Sequence, residues 1–158
     1  MVLHGSGRQL NLDLLTMTEH LWDLTANGLA RKIADGEVSS LEVIDAHLGR
    51  IEEINGWLNA VTRVLADEAR VAAKEADKAV TAGDELGPFH GVPCTIKENI
   101  DVAGTATTQG LPVFADLISS VDAPLVERLR VAGAVSYTHL RAHETRHELV
   151  CRLLLDKK

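Results

Sequence analysis

The sequence predicts an α/β fold, and three observations carry that expectation. Capping chemistry followed by helically spaced apolar residues occurs twice early in the chain, at Thr25–Gly36 and Ser39–Ile54. An alanine-rich run, Leu65 to Ala82, is a strong helix former. Short β-prone runs, Leu58–Leu65 and Val92–Ile96, alternate with these helices. Helices interleaved with strands pack as layers on a sheet.

In chain order, residues 1–16 show no clear periodicity, and Met17 would itself make a sensible start, so 1–16 read as an upstream extension. Thr25 is placed to cap a helix of about ten residues with Leu29, Ala30 and Ile33 on one face and Gly36 at its end. Ser39 and Glu42 form an S-x-x-E capping box, and Val43, Ile44, Leu48, Ile51 and Ile54 line the helix behind it until Asn55-Gly56 stops it. His47 falls on or beside that apolar face and reads as a core-edge histidine. In the alanine-rich helix a small-residue face can approach a neighbour closely, its charges form a solvated face with a few (i, i+4) pairs, and Gly83 suits the C-terminal left-handed turn. Further on, Asp122 is placed to cap a helix with Pro124 in its first turn, Leu125, Leu129 and Ala132 inward, and Gly133 at its end. One or two strands are little sheet for four helices, so the core reads as incomplete.

With 46% apolar and 25% charged residues, the composition is that of a globular protein. No run is long enough to span a bilayer, which argues against a membrane partner, and the N-terminus lacks a secretory pattern. Cys94 and Cys151 offer neither a disulfide framework nor a CxxC metal pattern, which predicts a cytoplasmic location. A formal charge of −7 and only 3% aromatic residues argue against nucleic acid as a partner.

The chemistry is concentrated in Gly87–Gly110, GPFHGVPCTIKENIDVAGTATTQG, where Lys97 directly follows a strand bracketed by glycine and proline. The segment His90–Gly110 resembles the lysine motif of the amidase signature family, Ser-Ser-Lys hydrolases with a mixed β-sheet flanked by helices. The likeness runs from Met17 to Ala134: the DLTA and EVSSLEVIDAHLGRIEEIN helices, LNAVTRVLADEARVAAKEAD and DAPLVERLRVAGA are all similar to family segments. The resemblance implies a hydrolase that cleaves a carboxamide C–N bond through an acyl-enzyme. Lys97 would be the catalytic base, acting through a bridging cis serine on a nucleophilic serine. That role requires the Lys97 pKa to be lowered by desolvation or hydrogen bonding. No cofactor or metal is implied; the partner would be a small-molecule amide, with a homodimer possible at full length. Cys94 departs from the small or aliphatic residue usual in the family and reads as a packing residue.

From Val135 the composition changes, and VSYTHLRAHETRHELVCRLLLDKK includes an H-E-x-x-H pattern, His143-Glu144-Thr145-Arg146-His147, with His139 one turn earlier. On a helix this would set imidazoles on one face for zinc, the pattern of a zinc hydrolase. However, VSYTHLRAHET resembles the translation of a transposase-based sequencing adaptor, and LVCRLLL the read-through of its flanking primer, with Glu148 and Asp156 off the simplest read-through. The expectation is therefore an N-terminal part of the amidase signature fold over 17–134, truncated, with 135–158 adaptor-derived and set aside from the fold. The two serines would lie beyond Ala134, because Ser119, Ser120 and Ser136 have no Gly/Ser-rich loop around them. The chain itself is then expected to be inactive and only marginally stable. The alternatives are the glutaminase A subunit of a tRNA-dependent amidotransferase, the zinc hydrolase through His143 and His147, and a non-catalytic helical module.

Overall fold

The computed structural model describes residues 20–140. After a 3-10 turn at Leu21–Asp23 come α1 (Ala26–Ala34), α2 (Ser40–Leu58), β1 (Val61–Val64), α3 (Ala66–Ala82) and β2 (Pro93–Lys97). A second 3-10 turn, Pro112–Phe114, precedes α4 (Pro124–Val131) and β3 (Val135–Leu140). The strands form one mixed sheet in the order β1-β3-β2, with β3 antiparallel to β1 and parallel to β2. The predicted α/β class, a mixed sheet flanked by helices, is what the chain adopts.

Local chemistry accounts for most of the helix ends. The Thr25 side chain accepts from the Gly28 amide at 3.1 Å, and Gly36 takes a positive φ of 69° just past α1. The capping box is complete: Ser39 Oγ accepts from the Glu42 amide at 3.1 Å, and the Glu42 carboxylate accepts from the Ser39 amide at 2.8 Å. The Ser39 amide and the Ser39 hydroxyl, both donating to the Glu42 carboxylate, hold that carboxyl below its usual pKa. A partner from elsewhere in the chain completes this end. Asp77, on α3, accepts from the Ser40 amide at 2.6 Å and from the Leu41 amide at 3.2 Å. Its negative charge sits at the positive end of the α2 dipole.

Three apolar clusters hold the layers together. Ile44 and Leu48 of α2 meet Ala69 and Ala73 of α3 over Val135 and Tyr137 of β3. The small-residue face of α3 is thus used as expected, for close approach to α2 and the sheet. Leu29 and Ile33 of α1 pack with Val43 and Val92. Cys94 and Ile96 share the other face of the sheet, where Ile96 packs with Val102 and Val126 of α4. His47 lies at the core edge as predicted. It is half-buried, its Nδ1 donates to the Val43 carbonyl at 2.8 Å, and its ring meets Tyr137 edge-on at 5.8 Å. Burial lowers its pKa despite that hydrogen bond.

Several expectations are corrected. Asn55-Gly56 does not stop α2, which continues to Leu58 and ends on Asn59 in the left-handed region at φ 51°. The Asn55 side chain instead bonds both the amide and the carbonyl of Val61, docking the start of β1 onto the helix. The strand expected over Leu58–Leu65 is correspondingly shorter. Asp122 does not cap α4. Ala123 occupies that position, and Asp122 bonds the Ala103 amide at 2.8 Å and Arg130 at 2.7 Å. The ion pairs found within α3, Asp67–Arg70 and Glu75–Lys78, have (i, i+3) spacing. The largest difference concerns the sheet. Val135–Leu140, the stretch set aside from the fold, form its central strand, bringing the strands to three among the described residues.

The Asp77 contact gives a direct test. Asp77→Ala removes the tertiary acceptor of two N-terminal amides of α2 and is expected to cost about 1–2 kcal/mol in denaturant unfolding. Asp77→Asn, which keeps one acceptor oxygen, should cost less than half as much.

Candidate active site

Lys97 is the last residue of β2 and is half-buried there. Its position follows from the way β2 is anchored at both ends. At the entry, Gly91 holds φ 71°, and a Cβ at that position would lie 2.8 Å from Ser40 Cβ. Only glycine combines that backbone with that proximity. Ser40, wholly buried at the start of α2, donates through its hydroxyl to the Gly91 carbonyl at 2.7 Å. The His90 imidazole reaches the Ala76 carbonyl of α3 at 2.9 Å. Backbone bonds from Phe89 to Ala132, from Gly91 to Gly133 and from Val135 to Val92, each 2.8–2.9 Å, tie this entry to the end of α4 and the start of β3.

At the exit, Lys97 pairs in register with Leu140 of β3, and the Glu98 amide donates to the Leu140 carbonyl at 2.9 Å. A turn closed by the Ile100 amide on the Lys97 carbonyl leads into a loop pinned by its own side chains. There Thr107 donates its hydroxyl to Asp101, and the Thr105 hydroxyl to the Val102 carbonyl. The strand expected at Val92–Ile96 is therefore found one residue later, with Lys97 as its terminal member.

Glu98, which sequence reasoning passed over, is only 6% exposed. It lines two neighbouring cavities. One, about 390 Å³, is bounded by Asn59, Val61, Thr62, Thr108 and Leu111 among others. The other, about 210 Å³, has Thr62, Arg63, Ala106, Thr108 and His139 in its wall. The acidic residue directly after the motif lysine was the available signal. Together β1, the turn after Lys97 and the Thr108 loop make a cleft of small-molecule size beside the lysine strand.

The serines present do not complete a nucleophile. Ser136 pairs with Cys94, at the opposite end of β2 from Lys97 and roughly 10 Å away along the strand. Ser119 fastens a loop: its hydroxyl donates to the Val121 carbonyl at 2.7 Å, and its amide and carbonyl bond Thr105 and Gly104. Ser120 lies exposed beside it. His143, Glu144 and His147 lie outside the described residues. His139, imagined one helical turn before them, is on a strand. Among the described residues no group of three or more His, Cys, Asp or Glu side chains could hold a metal, and no helix is long and apolar enough to cross a membrane.

A profile of the Amidase family matches residues 42–152, most of the chain and all of the site just described. The chain belongs to the Amidase family. Its Amidase relatives include the indoleacetamide hydrolase of Bradyrhizobium diazoefficiens, 44% identical over 115 residues, which cover 73% of this chain and 22% of that protein. The A subunit of the glutamyl-tRNA(Gln) amidotransferase of Renibacterium salmoninarum is 43% identical over 116 residues, covering 73% and 22%. Among solved structures, the peptide amidase of Stenotrophomonas maltophilia superimposes with a TM-score of 0.69 at 33% identity, over 75% of this chain and 24% of that one. The chain thus spans about a quarter of the length of the relatives it matches. The family match runs through β3, in agreement with the place of that strand in the sheet.

Cys94 packs against the Ile96, Val102 and Val126 cluster, and burial pushes its thiol pKa up. With Cys151 replaced by serine, Cys94 is expected to react with a disulfide reagent at least tenfold more slowly in the native chain than in denaturant. Equal rates would remove its packing role.

Proposed function

We propose that the chain supplies the lysine-bearing part of an amidase-signature hydrolase acting on carboxamide C–N bonds, with Lys97 as its catalytic base. The observation that supports this most is the position of Lys97: terminal on a strand anchored at both ends, next in sequence to Glu98 of the cleft wall, within the family match. A rigid strand end suits a base, because proton transfer from a serine requires a fixed approach within hydrogen-bond reach. The bridging and nucleophilic serines are not supplied by Ser119, Ser120 or Ser136, so the 158-residue chain by itself is inactive in this reading. Apolar side chains exposed over the Thr108–Val131 region, among them Val113 at 81% and Val131 at 86%, are surface that further amidase sequence would cover.

A second reading is favoured by one observation. Several relatives are amidotransferase A subunits, at 38–43% identity. In that case the carboxamide would be glutamine, and the protein would work beside partner subunits. We further propose that 135–158 is adaptor-derived, on the strength of the two adaptor-like segments in order; residues 1–16 would be an upstream extension.

Two measurements test the catalytic reading. The purified chain should release no ammonia from simple carboxamides above background, and hydrolysis that disappears in Lys97→Ala would contradict its inactivity. Residues 42–134 grafted in place of the matching segment of the indoleacetamide hydrolase should give an active chimera. Lys97→Ala in that chimera is expected to lower kcat on the order of 10³-fold or more with an unchanged unfolding midpoint. A kcat within tenfold of the parent chimera would rule Lys97 out as the base.

A further inference from the structure

The central strand carries an anomaly that the amidase reading does not use. Ser136 Oγ, Thr138 Oγ1 and both ring nitrogens of His139 are buried without a hydrogen-bond partner among the described residues. Thr138 is wholly buried and His139 is 3% exposed. Burying a polar group unpaired is unfavourable, and native interiors keep such groups few. Here they fall on three of the six residues of one strand, the strand that joins both others.

Backbone pairing opposes this. β3 exchanges bonds with β1 and β2, accepts at Tyr137 from the Leu65 amide and at Leu140 from the Glu98 amide, and Val135 and Tyr137 join the helix-facing core. Even so, its pairing is interrupted twice. Tyr137 is an extra residue against the Cys94–Thr95 step of β2, and Thr62 an extra residue against the Leu140–His139 step of β3. The backbone places the strand at the centre of the sheet while the side chains of Ser136, Thr138 and His139 oppose burial there.

We infer that Val135–Leu140 is a strand whose side chains are mismatched to its position, so that it limits the stability of the sheet and is the element through which the fold fails. The inference rests on the buried atoms and holds whatever the origin of residues 135–158. Acid should accentuate it. Charged groups facing His139 are Arg63 from β1 and Glu98 from the turn after β2. Burial, with Arg63, lowers the His139 pKa, and Glu98 only partly offsets this. Its folded pKa lies below its unfolded one, so unfolding takes up a proton. Stability is therefore full above the unfolded value of about 6.5 and declines as pH falls through and below it. His47 titrates in the same direction and contributes separately.

The test is thermal unfolding of the full 158-residue chain and of two variants. Thr138→Val changes one hydroxyl for a methyl at constant shape, and T138V/H139L also replaces the imidazole by an apolar group of similar size. Both should raise the Tm, the double variant by roughly 5 °C or more at pH 7. The double variant should also take up fewer protons than the parent chain on unfolding near pH 6. A Tm unchanged or lowered in T138V/H139L would overturn the inference, since it would mean that the polar groups are matched to their surroundings. Sequencing the source DNA tests the adaptor proposal separately, and the chimera assay tests Lys97, so failure of one is not mistaken for failure of another.

Discussion

The arrangement depends on one junction, where residues 87–92 run alongside the end of α4 and the start of β3. Three backbone hydrogen bonds cross it, and Gly91 is the residue that lets the chain come this close to Ser40. The junction sets the parallel register of β2 on β3. That register in turn fixes how far along the sheet β2 extends, and so where Lys97 emerges. Asp77 and Ser40 bring α2 and α3 to the same place from the other side. The capping of a helix and the placement of a lysine are thus parts of one construction.

Much of this is legible in the sequence where the determining chemistry is local. The capping box at Ser39, the alanine face of α3 and the left-handed glycines act within a few residues, and each is found where expected. Lys97 stands out because turn residues bracket a short β-prone run, and the Amidase family match covers that whole segment.

What is not legible involves side chains taken by distant partners. Asn55 resembles a helix stop, but its amide is used to dock β1. Asp122 resembles a cap, but bonds Ala103 and Arg130 instead. Glu98 carries no local signal of burial, yet it is almost wholly buried and lines the cleft. Composition sets β3 apart from the fold, and composition is a poor guide there. Backbone pairing is available to almost any six residues presented to two open strand edges. The sheet accepts the strand, and the mismatch is seen only in its buried polar atoms.

Chemistry and stability meet at the same strand pair. β2 carries Lys97, and β3, its neighbour, carries the unpaired buried groups. The most direct measurement of whether β3 holds the lysine strand in place is residue-resolved amide hydrogen exchange on the intact chain. The amides of Val135 and Glu98 bond across the β2–β3 pair. They are predicted to be protected well above an unstructured chain but less than the best-protected amides of α2 and α3, as for an element that opens before the rest. Exchange of both amides at the rate of an unstructured chain, with α2 and α3 still protected, would contradict it and leave Lys97 without the support described.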